Sequence, residues 1–193
     1  MRSPSATSVL ALLICKALAS ASVYHAQADV TYTGVSFDGI ETFYSIPYGL
    51  DTGGVNRFKI PQPYVPTAGS AFDATIPGPK CPQAQSTADG FVPLYLTNVS
   101  EVSEDCLHVN VYRAAGTSPD ALLPVMLYIH GGSFIIGSKD ELVIQPGGLI
   151  LQSVDMGQPV IVVTINYRLG GMKELIKISV IVTDFISIWL CAI

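Results

Sequence analysis

Apolar and polar positions are arranged differently in the two halves of this chain. From Val30 to Gly49 the stretch VTYTGVSFDGIETFYSIPYG is rich in β-branched and aromatic residues and is punctuated by Gly34 and Asp38-Gly39. That pattern predicts short strands joined by tight turns. From Asp51 to Pro93, Gly, Pro, Ser and Ala replace any periodicity, which predicts a long ordered loop; a loop of that size carries a function or is held by a disulfide. Beyond it, LHVNVYR (107–113) alternates apolar and polar, whereas VMLYIH (125–130) and VIVVTINY (160–167) are nearly continuous apolar runs. Such runs suit strands buried on both faces. Between those two, GGLILQSVDM (147–156) is long enough for a short helix. Strand, loop, helix, strand predicts an α/β sheet, and no internal repeat is present.

Composition narrows the class. A chain of 193 residues with 49% hydrophobic and 13% charged residues is suited to one folded domain. The net charge of -5 comes without any cluster of Lys and Arg, so the footprint of a nucleic-acid partner is missing. Residues 1–28 read as a secretory leader: Arg2, an apolar stretch from Val9 to Leu18, then small residues ending at Ala19-Ser-Ala21 or Ala26-Gln-Ala28. Cleavage is expected near residue 21 or 28, leaving a secreted, acidic protein. The cysteines agree with that compartment. Cys15 departs with the leader and Cys191 lies in an unusual tail, so Cys81 and Cys106 remain as a natural pair. Their bridge would close a loop of about 25 residues, stabilising the fold by about 3 kcal/mol on the chain-entropy account. Asn98-Val-Ser100 inside that loop is a glycosylation sequon.

The stretch with candidate chemistry is YIHGGSFIIG (128–137). Counted from Gly131 it matches a G-x-S-x-G nucleophile elbow except at Ile135, where glycine is required. Two adjacent glycines let a backbone approach a ligand closely, and the N–H groups of such a turn suit a developing oxyanion. A turn that merely reverses the chain fits the local sequence equally well.

Four stretches together resemble the N-terminal part of a type-B carboxylesterase, the family of secreted lipases, esterases and cholinesterases. They are FYSIPYG followed by NRFKIPQPY, then SEDCLHVNVYR, YIHGGSF and VTINYRLG, in the family's order from about Val30 to Gly170. The resemblance implies an α/β-hydrolase fold truncated to its N-terminal portion: an opening β-hairpin, a disulfide loop and the first strands of the central sheet. It assigns residues 29–170 to a partial family domain. In such hydrolases the HGGG-type loop supplies backbone N–H groups to the oxyanion hole. The resemblance therefore implies that Gly132 and Ser133, in the loop begun by His130 and Gly131, are oxyanion donors. Ser133 would act through its amide. The family's early disulfide maps onto Cys81 and Cys106, its buried structural ion pair onto Arg57 and Glu104, and Arg168 would meet an acid farther along the family chain. Neither a cofactor nor a metal is implied.

The triad itself is missing. A hydrolase of this kind needs Ser, then Asp or Glu, then His, and no complete G-x-S-x-G occurs. His25, His108 and His130 all precede any position the elbow would take. Residues 171–193 depart from the family pattern and are expected to be non-family sequence, from a retained intron or a gene-model error. As a membrane anchor the run Leu175–Ile193 is disfavoured, because Lys177 and Asp184 would each cost on the order of 3 kcal/mol at mid-bilayer. The parent function implied is hydrolysis of carboxylic esters or lipids through an acyl-serine, with this chain inactive as written. The competing expectation is a non-catalytic, cholinesterase-like binding or adhesion module. Between Cys81 and Cys106 the only aromatics are Phe91 and Tyr95, so choline esters, which favour a Trp-led cage, are disfavoured as substrates.

Overall fold

The computed structural model of the chain describes residues 19–83, 101–141 and 144–173. Asn98, Phe91, Tyr95, residues 1–18 of the expected leader and residues 174–193 of the tail lie outside the described residues. The rest builds a mixed sheet of seven strands: β1 (Ala19–His25), β2 (Val30–Phe37), β3 (Ile40–Pro47), β4 (Ser70–Asp73), β5 (His108–Ala114), β6 (Val125–Ile129) and β7 (Ile161–Ile165). Their spatial order is β1-β2-β3-β5-β7-β6, with β4 beside β2.

The hairpin expected at Asp38-Gly39 forms between β2 and β3, as its turn chemistry dictates. Phe37 faces Ile40, so Asp38-Gly39 is a two-residue connection, and both residues take positive φ (51° and 84°). That is the conformation matched to the right-handed twist of a hairpin. β3 then runs antiparallel to β5, with a register shift between Phe43 and Ile46. Ser45, at φ 52°, lies within the irregularity. There the Ser45 amide donates to Asn110 Oδ1 at 2.9 Å and the Gly78 amide donates to Ser45 Oγ, so side chains supply part of the bonding a regular ladder would give.

Three readings of the pattern change. The long loop expected from Asp51 contains β4, which pairs parallel to the first half of β2. The pairing is possible because β3 contacts only the second half, from Val35; four residues carry too little pattern to announce a strand. The alternation of LHVNVYR does not separate a wet face from a dry one, for His108, Asn110 and Arg113 are all buried. Part of their polar surface is held instead: Asn110 donates to Asp140 Oδ1 at 2.7 Å and Arg113 Nε donates to Glu41 at 2.7 Å, while His108 Nδ1 and Arg113 NH1 find no partner among the described residues. Finally, β6 is not covered on both sides among the described residues. It lies at one edge of the described sheet, parallel to β7, and Met126 and Ile129 are exposed.

The expected helix forms as α1 (Gly147–Asp155) and crosses between the two parallel strands, packing against β5 and β3. Ile150 is its fully buried anchor. The core lies under the sheet centre, where Phe43, Ile46, Val109, Val111, Val163 and Ile165 pack beside Cys81 and Cys106. Among the described residues no helix is long and apolar enough to cross a membrane.

Candidate oxyanion loop and its supports

β6 delivers the chain to His130 at its carboxyl end, and the backbone then turns sharply. Gly132, Ser133 and Phe134 have φ of 107°, 53° and 63° in succession. Non-glycine residues seldom adopt this region and usually cost of order 1 kcal/mol or more to hold there. The turn is closed by the Ile135 and Ile136 amides, which donate to the Gly132 carbonyl at 3.0 and 3.1 Å. Two positions demand glycine. A Cβ on Gly132 would collide with the Ile136 carbonyl, and one on Gly137 (φ 123°) would collide with the His130 ring. Among the described residues the amides of Gly132 and Ser133 find no acceptor, and Ser133 stands exposed.

The loop is anchored from three directions. His130 stacks on Tyr167 with ring centroids 4.3 Å apart, and the Tyr167 hydroxyl donates to the His130 carbonyl at 2.8 Å. The Gly170 amide donates to the Phe134 carbonyl at 2.7 Å. From the disulfide segment, Gln83 exchanges both bonds of its amide with the Gly137 backbone, each at 3.0 Å. His130 is almost fully buried, and burial pulls its pKa below the ordinary value. Nδ1 lies 2.8 Å from the Gly131 carbonyl, so the neutral ring carries its proton there. The lone pair then falls on Nε2, which has no partner among the described residues.

Asn166 ties the expected motifs together. Its Oδ1 accepts the Lys139 amide at 2.7 Å, and its Nδ2 donates to the carbonyls of Pro79 and Cys106 at 3.0 and 3.1 Å. Its own carbonyl accepts the Tyr48 hydroxyl at 2.7 Å. One buried side chain and its backbone therefore bind FYSIPYG, the disulfide and the segment after the glycine loop to the end of β7. Neither Asn166 nor Gln83 was singled out in the sequence, because a bond from a side chain to a distant backbone leaves no periodic trace.

The other expected residues are placed as follows. Cys81 and Cys106 are joined by a disulfide. Arg57 and Glu104 meet in a two-bond fork, Nε to Oε1 at 2.7 Å and NH2 to Oε2 at 2.5 Å, but the pair is not buried as expected, for the Arg57 side chain is half exposed. Each partner shifts the other, Arg57 upward and Glu104 downward, chiefly through that hydrogen bonding. The Glu104 carbonyl accepts the Thr52 hydroxyl at 2.7 Å, so this contact fastens the irregular segment after β3 to the approach of the disulfide. Arg168 is buried and donates to the Lys59 carbonyl at 2.9 Å. Its NH2 has no partner among the described residues.

His108, first residue of β5, is a poor candidate for a base. Burial and the nearby Lys139 cation push its pKa down to about 4, against a smaller upward pull from Asp140. Asp105 lies 3.9 Å from its Nε2, but a neutral ring at that distance forms no ion pair. Neither His108 nor His130 hydrogen-bonds the Ser133 hydroxyl. A groove of about 920 Å³ lies between the β2–β3 hairpin and the start of α1, and its lining includes no residue of 130–137. Among the described residues no group of three or more His, Cys, Asp or Glu could hold a metal.

Comparison with known proteins finds similarity to carboxylesterases and lipases. The profile described as the carboxylesterase family matches residues 27–172. An inactive carboxylesterase-like protein, VdtD of Byssochlamys spectabilis, is 44% identical over 72% of this chain and 24% of its own length. A secreted lipase of Arthroderma benhamiae is 37% identical over 84% of the chain and 28% of its own. Lipase 1 of Geotrichum candidum is 38% identical over 83% of the chain and 31% of its own. Among solved structures, a thermophilic PNB esterase shares 36% identity at a TM-score of 0.62, with 78% of this chain and 28% of that one covered. EstA of Aspergillus niger shares 27% at 0.60, covering 80% and 27%. The chain thus spans about a quarter to a third of the length of these relatives.

Proposed function

The chain belongs to the carboxylesterase family, with the α/β-hydrolase fold, and on that premise we propose that it is the N-terminal portion of a secreted carboxylic ester hydrolase, carrying oxyanion-hole donors but no nucleophile. The observation that carries this reading is the run of positive φ from Gly132 to Phe134 at the carboxyl end of β6, with two neighbouring amides lacking acceptors among the described residues. In ester hydrolysis through an acyl-serine, the carbonyl oxygen becomes an oxyanion when the serine adds to the carbonyl carbon. Amides already aimed at that oxygen stabilise it without reorganising at the moment of reaction. Gly132 and Ser133 are assigned this task, with His130, Tyr167 and Gln83 holding the loop. Ser133 contributes its N–H, and its hydroxyl takes no part.

The substrate class is a carboxylic ester or lipid, as the names of the lipase relatives suggest. Nucleic acid has no part in this reading, and anchoring by the tail is disfavoured. Secretion is supported by the leader pattern and by a relative named a secreted lipase. The 193-residue chain is inactive on this account. Purified and offered p-nitrophenyl butyrate, it should hydrolyse no more than a Ser133→Ala variant; turnover that disappears in Ser133→Ala would make Ser133 a nucleophile and overturn the reading. A second reading, a non-catalytic binding module on the same scaffold, is favoured by one observation, that a relative at 44% identity is itself named inactive. Recovery of a specific partner from culture medium on the immobilised chain would separate it from the first.

A further inference from the structure

β1 lies across the stretch in which leader cleavage is expected, and it belongs to the folded domain. Its seven residues pair one for one with β2, from Ala19 opposite Ser36 to His25 opposite Val30. Ala21, Val23 and His25 face inward, each 4% exposed or less. The turn that follows is built on the strand. The Ala28 amide donates to His25 Nδ1 at 3.0 Å, and the Tyr24 hydroxyl donates to Asp29 at 2.9 Å. A cut after Ala28 would remove all of β1 and open that turn. A cut after Ala21 would remove the first buried position and keep only the pairs from Ser22 to His25.

A leader that is discarded has no reason to supply core residues, so the cut should lie upstream of Ala21. Leader peptidases read small residues at the positions one and three before the cut, and Ala17-Leu18-Ala19 meets that requirement at the end of the apolar stretch. Ala19 and Ser20 are both exposed, at the outer end of an edge strand. A new N-terminal ammonium on Ser20 would sit in solvent while Ala21, Val23 and His25 keep their places. We propose that the leader ends at Ala19 and that the mature protein begins at Ser20. Water adds across the Ala19–Ser20 peptide bond, leaving a carboxylate on Ala19 and an ammonium on Ser20. The host's leader peptidase supplies the catalysis.

This inference rests on the secretory reading given above, and one experiment separates the two. The full chain is expressed with its own leader in a eukaryotic host, recovered from cells and medium together, and its first residue determined by N-terminal sequencing and intact mass. Ser20 is the expected start, and Ala17→Lys, which puts a charge three residues before the cut, should abolish it. A start at Ser22 or Asp29, or an Ala17→Lys chain still beginning at Ser20, would overturn the site and leave secretion standing. A chain that begins at Met1 throughout would overturn both. Because leaders are cut as the chain is made, the readout does not depend on how stably the product folds.

Discussion

β6 and β7 are parallel neighbours of five residues each, and VMLYI and IVVTI are similarly apolar. Every residue of β7 is buried, whereas Met126 and Ile129 of β6 stand 48% and 57% exposed. The difference is company. β7 is bonded on both sides, by β5 and β6, and packs into the core, while β6 finds only β7 among the described residues. An apolar run encodes the number of surfaces a strand covers in the completed sheet. Among the described residues β6 has the sequence of an interior strand in an edge position. The loop proposed to serve catalysis leaves from this edge.

The comparison can be pressed experimentally, beginning where the largest effect is expected. At the end of β7, Asn166→Ala should cost about 4 kcal/mol in denaturant unfolding, because it leaves the Lys139 amide and the Pro79 and Cys106 carbonyls without their partner. A loss below about 1 kcal/mol would remove Asn166 as the tie between the motifs. Within the strands, Ile165→Ala should cost roughly 3 kcal/mol by emptying a fully buried site, and Ile129→Ala under about 1 kcal/mol. Equal costs would mean that the edge is covered in solution.

Acid should act on the buried side. His108, beside β7 on β5, has a folded pKa of about 4 against an ordinary 6.5, so the unfolded chain binds more protons between those values. Its contribution is complete above pH 6.5 and is lost as pH falls through about 4, amounting to about 2 to 3 kcal/mol. The groups facing it are Lys139, Asp140 and Asp105, and the test is whether His108→Gln flattens the pH dependence of unfolding over that window. The smallest effect belongs to the edge: Ile129→Lys should change stability by less than about 0.5 kcal/mol while reducing self-association in sedimentation, since a charge on an open edge opposes pairing between copies.

How far the sequence could be read depended on whether the signal was local. Asp38-Gly39 announced the β2–β3 hairpin because a two-residue connection has its own turn chemistry. The resemblance of four motifs gave the HGGSF loop its role, and the glycine requirement at Gly132 and Gly137 has a steric cause in the Ile136 carbonyl and the His130 ring. β1 was hidden because ASASVYH has the small residues of a leader, and β4 because SAFD is too short to show a period. The burial of Lys139 and Glu141, with Asp140 half-buried between them, was invisible for another reason. Charges are expected in water, and only the fold shows that Lys139 Nζ bonds Asp140 at 2.6 Å while the Ser138 amide is held by Glu141 at 2.8 Å. Edge or interior, the point on which β6 and β7 part, depends on chain outside the strand itself.

The central claim is that Ser133 offers an amide and not a nucleophile, and covalent labelling tests it most directly. The purified chain is treated with a fluorophosphonate, which modifies activated serines, and digested for mass spectrometry beside an active lipase as control. The account predicts an adduct on the lipase and none on Ser133. An adduct on Ser133, lost after denaturation of the chain before treatment, would contradict it.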